Sequence, residues 1–274
     1  MKPASVFIRH IAIPQDHGSW VFLLSPLLIG LFASSNWYFA SLLLVVACLA
    51  GFLIRQPTVI LVKVFSGRRS ERDKQAAIFW IVVYGTLGGL LLGALLWMGY
   101  SYLLILLIPG VAVFTWHLYL VYHRSERRQV GVEIVASGVL ALSAPAAYWI
   151  GVGSPEKTGW VLFILTWLQS AASIVHAYMR LFQRELQIPP DLKTRLIIGK
   201  RALAYATFNS LFVIALSVTA IIPKFLPLSY FIQWVETIYC TIHPAMGAKP
   251  TSIGIRQLLV STIFTILFII TWNI

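Results

Sequence analysis

The sequence predicts an all-α polytopic membrane protein of about nine transmembrane helices, forming one integral membrane domain over residues 1–274. Three observations predict it. Of the 274 residues, 59% are hydrophobic and only 11% charged, with a mean hydropathy of +0.83, which no ordinary soluble domain shows. Apolar stretches close to the roughly 20 residues that cross a bilayer recur along the chain. The basic residues between them fall in alternate gaps: 19 of the 21 Lys and Arg do so, and only Lys157 and Lys224 lie in the others. Under the positive-inside rule this gives a cytoplasmic N-terminus, basic cytoplasmic loops and an outside C-terminus in the inner (plasma) membrane of a cell.

The spans read in order as Gly18–Ser35, Trp37–Ile54, Ala76–Met98, Tyr102–Tyr122, Val132–Ile150, Trp160–Phe182, Arg201–Ile222, Leu228–Ile242 and Ile255–Trp272. The eighth is short and calls for tilt or local thinning of the bilayer. No span shows a central Gly/Pro break. Two inner connections are long, Arg55–Gln75 and Leu181–Lys200. In the first, Val59, Ile60, Leu61, Val64 and Phe65 interleave with Lys63, Arg68 and Arg69, which suggests an amphipathic helix on the membrane surface. Gly85, Gly89 and Gly93 form a stripe that lets a neighbouring helix approach the third span. The tryptophans fall mostly near span ends, as interfacial anchors do.

A net charge of +12 raises nucleic acid as a partner, but the charge is divided among short loops beside membrane spans. Orientation in the membrane and contact with anionic lipid headgroups account for it, so membrane lipids are the expected partners and nucleic acid is not. The two cysteines, Cys48 and Cys240, sit inside apolar spans and form no metal-binding pair motif, and no metal site is assigned.

Polar groups inside spans are costly and therefore mark candidate sites. Gln169, Ser173, His176, Arg180 and Arg184 follow one another by four, three, four and four residues, a single helical stripe. An arginine fork beside a histidine can hold an anionic group, although Arg184 alone reads as a side chain snorkelling to headgroups. Gln233, Glu236, Cys240 and His243 share a face of the eighth span. Glu236, the deepest carboxylate, needs a partner or a proton there, which leaves two readings, a proton-handling role or a structural hydrogen bond to Asn209 or a tyrosine. Glu133 suits a helix N-terminus, and Asp16 a cap. His17, His117, His176 and His243 all map near the basic interface, where two imidazoles from different helices could ligate haem or another metal, although no pair on one helix has metal-ligand spacing.

The opening run Ile13-Pro14-Gln15-Asp16-His17-Gly18-Ser19-Trp20, followed by Pro26 and Gly30, resembles the start of the YwiC-like family of bacterial membrane proteins. The likeness continues at Arg55 and Pro57, Arg68 and Arg69, Trp80 and Tyr84, the basic loop 124–128 and Gly254-Ile255-Arg256-Gln257. It implies a polytopic bacterial membrane protein and brings no activity with it. More distantly, the chain is similar to the UbiA-type membrane prenyltransferases, whose nine spans, cytoplasmic N-terminus and long loops after the second and sixth spans it shares. Those enzymes hold Mg²⁺-diphosphate with two Asp-rich motifs, and here the corresponding loops offer only Glu71 and Asp73, then Glu185 and Asp191. If the protein is an enzyme, that likeness implies a prenyltransferase-like membrane transferase without Mg²⁺-binding motifs.

The function that follows is a cytoplasm-facing cavity, lined by basic and His residues, that binds or processes an isoprenoid-, quinone- or lipid-like molecule with an anionic head. Its candidate catalytic groups are His17, His176 and Glu236. Arg55, His117, Arg180, Arg201, Asn209, His243 and Arg256 are the candidate ligand contacts. A proton-coupled small-molecule transporter using Glu236 and His243, or a haem-binding respiratory accessory protein, are the alternatives.

Overall fold

The computed structural model describes residues 7–14, 17–125 and 129–274; the side chain of His17 lies outside the described residues, as does Asp16. The helices are α1 (Arg9–Ala12), α2 (His17–Ala33), α3 (Phe39–Phe65), α4 (Arg72–Trp97), α5 (Leu104–Tyr122), α6 (Val130–Ala141), α7 (Ser143–Val152), α8 (Lys157–Gln183), α9 (Leu192–Val218), α10 (Pro227–Ile242) and α11 (Pro250–Trp272), with one 3₁₀ turn at Ser101–Leu103. Among the described residues seven segments are long and apolar enough to cross a membrane, α6 and α7 counting as one. Two of the nine expected spans are shorter helices that do not reach that length, α2 at 17 residues and α10 at 16. Sixteen helical residues rise about 24 Å against a hydrocarbon core of roughly 30 Å, so α10 needs tilt or a thinned bilayer.

Four sequence expectations change. The surface helix does not form: Val59–Phe65 is the last part of α3, one 27-residue rod that runs on through Pro57. At about 40 Å it outreaches the hydrocarbon, and its polar end stays helical in the interface. The long loop after the sixth span shortens for the same reason, since α8 extends to Gln183 and α9 starts at Leu192. The fifth span is interrupted after all. It divides at Leu142, because Pro145 lacks the N–H that would bond to Ala141, while Ser143 Oγ donates to the Leu140 carbonyl at 2.7 Å.

The glycine stripe is the fourth. A Cβ on Gly89 or Gly93 would meet nothing within 4 Å, and one on Gly85 only the tip of Ile54 at 3.5 Å. Close helix approach occurs instead at Gly30, whose missing Cβ leaves room for the Ala144 backbone of α7.

Helix α2 is central, packed on α7, α11, α6 and α8, while α3 and α4 form a long pair capped by α1. The main apolar core, with Trp149, Leu162, Leu226, Tyr230, Phe264 and Phe268, lies toward the sparsely charged end. Polar atoms there are satisfied locally: Trp149 Nε1 donates to Glu156 O at 3.0 Å and Tyr230 Oη to Leu165 O at 2.9 Å.

Hydrogen bonds between connections identify the two ends of the bundle. At one end Gly247 N donates to Arg184 O, Arg195 to Ile242 O, Arg68 to Val121 O, and Gln56 to His10 O. At the other, Asn36 donates to Gly151 O and Ser35 to Asn273. The first end carries the described loops rich in Lys and Arg, and it is called the basic end below.

Candidate functional site

The buried polar stripe of α8 is real. Gln169, Ser173, His176 and Arg180 are all buried, and they face the polar side of α10. Gln169 Nε2 donates to Gln233 Oε1 at 3.4 Å, Gln233 Nε2 to Thr237 Oγ1 at 3.3 Å, and His176 Nδ1 lies 3.2 Å from the same Thr237 oxygen. From α11, Gln257 Nε2 donates to Ser173 Oγ and to Gln233 Oε1. Glutamine, serine and threonine therefore form a connected set between α8, α10 and α11. Gln169 Oε1 and Asn209 Oδ1 are buried acceptors without a hydrogen-bond partner.

Arg180 is tied to the end of α10 through Nη1. Its Nη1 donates to Gln183 Oε1 at 2.9 Å, to Cys240 O at 3.2 Å and to His243 O at 2.8 Å. The last two are carbonyls at the C-terminus of α10, which have no intrahelical partner and carry partial negative charge. Gln183 Nε2 adds a bond to Cys240 O at 3.0 Å. The guanidinium thus closes the end of α10 from the neighbouring helix.

Glu236 pairs with Arg256 of α11, not with Asn209 or a tyrosine. Arg256 Nε and Nη2 donate to the two carboxylate oxygens at 2.5 and 2.9 Å, a bidentate fork. Cys240 Sγ donates to Glu236 Oε1 at 3.0 Å, and the Arg256 guanidinium lies over the Tyr239 ring. Asn209 donates instead to Leu168 O at 2.8 Å.

The remaining candidates lie elsewhere. Arg55 on α3 reaches Ser19 of α2 at 3.5 Å and stands over the Phe52 ring. His117 is on α5, which packs on α3 and α6. Arg201 is exposed on α9, and His243 is exposed with its ring stacked on Tyr239. Glu133 stands in the first turn of α6, as expected, and accepts a bond from Tyr178 Oη. The fold therefore brings together His176, Arg180, Glu236, Arg256 and the His243 backbone, while the contacts described for Arg55 are with Ser19 and Phe52, and His117 and Arg201 stand on α5 and α9.

A feature that the sequence reading missed is an apolar groove of about 470 Å³ between α2 and α11. Trp20, Leu24 and Leu28 line one wall, and Leu258, Ile266 and Ile270 the other. It extends from Trp20 to Phe32 on α2 and from Leu258 to Ile270 on α11, about 18 Å at helical rise. The hydroxyls within it are paired, Ser25 Oγ with Thr265 Oγ1 at 2.6 Å. The groove starts one residue after Ser19, which holds Arg55, and two residues after Arg256. Helical periodicity in α2 gave no sign of it, since that helix is apolar all round.

These observations define a multi-pass α-helical membrane protein with its polar side-chain network toward one end. The family model described as YwiC-like protein matches residues 13–148, and over that stretch the chain is similar to that family. The matched stretch holds α2 to α6 and part of α7, and so includes Arg55, His117 and one wall of the groove. No curated protein and no solved structure matches the chain, and the likeness to UbiA-type enzymes rests on the sequence alone.

Proposed function

We propose that this protein holds an isoprenoid- or lipid-like molecule, with its chain in the α2/α11 groove and its anionic head at the basic end. The groove carries this reading, because it is apolar along its length and begins beside Ser19, Arg55 and Arg256. A single chain of about 18 Å fits its length. The basic end faces the cytoplasm of the inner membrane, with the N-terminus inside and the C-terminus outside, in keeping with the positive-inside rule. His176 and Arg180 support the α8–α10 interface in this reading, and the head contacts are Arg55 and the outer side of Arg256.

Native mass spectrometry of protein released in mild detergent tests it. The wild type should carry a lipid-like adduct with an acidic head. Leu28→Trp, which fills the groove from a lipid-facing position, should carry none while remaining folded. Bare wild-type protein, or equal retention by Leu28→Trp, overturns the reading.

One observation favours a second reading, a proton-coupled transporter: the chain Gln169, Gln233, Thr237, His176 links the middle of α8 to the region of Glu236. Substrate-induced acidification in proteoliposomes that disappears in Glu236→Gln would select it over the first.

A further inference from the structure

The sequence reading assigned no metal, yet the fold brings three residues of metal-ligating type together. A ring nitrogen of His176, a carboxylate oxygen of Glu236 and Sγ of Cys240 all lie within 4.8 Å of one another. Two come from adjacent turns of α10 and the third from α8. His176 and Cys240 are buried, and the Glu236 side chain is 13% exposed.

We propose that His176, Glu236 and Cys240 form a binding site for a borderline-soft divalent cation of the Zn²⁺ class. Nitrogen, thiolate and carboxylate together are the donors such ions take, and a thiolate disfavours Mg²⁺ and Ca²⁺, which take oxygen. Tetrahedral coordination at 2.0–2.3 Å puts ligand atoms roughly 3.3–3.8 Å apart, so a closure of about 1 Å forms the site.

The surrounding hydrogen bonds prepare each ligand. Thr237 Oγ1 donates its one proton to Gln233 O at 2.7 Å, so toward His176 Nδ1 it accepts. Nδ1 therefore carries the ring proton and Nε2 keeps the lone pair that binds metal, the orientation an outer-shell partner gives a ligating histidine. The Cys240 S–H points at Glu236 Oε1, and a cation takes the place of that proton between sulfur and oxygen. Binding releases one proton from Cys240 to water and adds one net positive charge, beside a carboxylate whose Oε2 keeps Arg256 Nη2 and whose Oε1 also accepts from Arg256 Nε. Three protein ligands leave a fourth position for water or another small donor. Access runs along Arg256, whose side chain is 44% exposed.

The site is independent of the groove reading and is tested separately. Tag-free, metal-stripped full-length protein in detergent is titrated with Co²⁺. The wild type should bind one equivalent with a thiolate-to-cobalt charge-transfer band, which Zn²⁺ abolishes. Cys240→Ser should lack the band, His176→Ala and Glu236→Gln should bind at least about tenfold more weakly, and the exposed His123→Ala should match wild type. Size exclusion and circular dichroism establish that the variants are folded. Should they not fold, the wild-type titration decides alone: no thiolate band at saturating Co²⁺ overturns the proposal. A band that persists in folded Cys240→Ser, and so comes from Cys48, overturns it equally.

Discussion

Replacing Gly30 with alanine adds one methyl group at the tightest part of the central helix. A Cβ there would fall against the Ala144 carbonyl oxygen, 2.9 Å from the carbonyl carbon and 3.0 Å from Cα. Carbon pairs attract at about 3.5 Å and beyond, so the carbonyl carbon alone requires the α2 and α7 backbones to separate by about 0.6 Å, and the nearer oxygen requires more. Neither side can yield by rotating a side chain, because the obstacle is the backbone of a helix that is buried almost throughout. Overpacking costs 1–3 kcal/mol where side chains can adjust, which places this substitution at about 3 kcal/mol, a more than hundredfold loss in the folded-to-unfolded ratio. The comparison variants are Gly89→Ala and Gly93→Ala, where nothing lies within 4 Å and alanine gains up to about 1 kcal/mol in helix propensity. Equilibrium unfolding of purified protein in mixed micelles, followed by circular dichroism, measures all three. An unchanged midpoint for Gly30→Ala, or an equal fall for Gly89→Ala, would refute the assignment of the close contact to α2 and α7.

Two further substitutions follow from the site. Arg180→Leu leaves the His243 carbonyl without its donor, while Cys240 O keeps Gln183 Nε2, and at 1–3 kcal/mol for an orphaned acceptor it should destabilise the fold by about 1–3 kcal/mol in the same assay. A loss below about 1 kcal/mol would leave Arg180 available for an anion and revive its role as a head contact. Asp191 caps α9, and hydrogen bonds from Thr194 hold its carboxyl below the usual carboxylate range. A depressed value in the folded state means that its contribution is full above the ordinary carboxylate range and fades as pH falls through the folded value. Asp191→Asn should therefore keep the cap but flatten the acid limb of the melting-temperature profile, and an unchanged limb would contradict this.

The spans were legible because bilayer thickness and charge placement act on composition, which a sequence displays directly. Leu228–Ile242 and Ile255–Trp272 agree with α10 and α11 to within a few residues. Their basic-side ends were less legible: Arg55 and Pro57 look like the end of a helix, yet α3 continues to Phe65 because chain leaving the hydrocarbon can stay helical. The buried face of α8 followed from spacing alone. The partners of its residues did not: Arg256 and Glu236 are separated by a loop and two helix ends, and only packing shows that they form a fork. Gly30 and the stripe at Gly85, Gly89 and Gly93 look alike in sequence, and whether a second backbone lies opposite is a tertiary fact.

Orientation is the claim on which the position of the anionic head depends. Single cysteines placed at Ser70 and Pro189 on the basic end, and at Ser154 and Lys224 on the other, all occupy exposed positions. With a membrane-impermeant maleimide on intact spheroplasts, Ser154→Cys and Lys224→Cys should label at once, and Ser70→Cys and Pro189→Cys only after permeabilisation. Labelling of Ser70→Cys or Pro189→Cys from outside would contradict a cytoplasmic basic end.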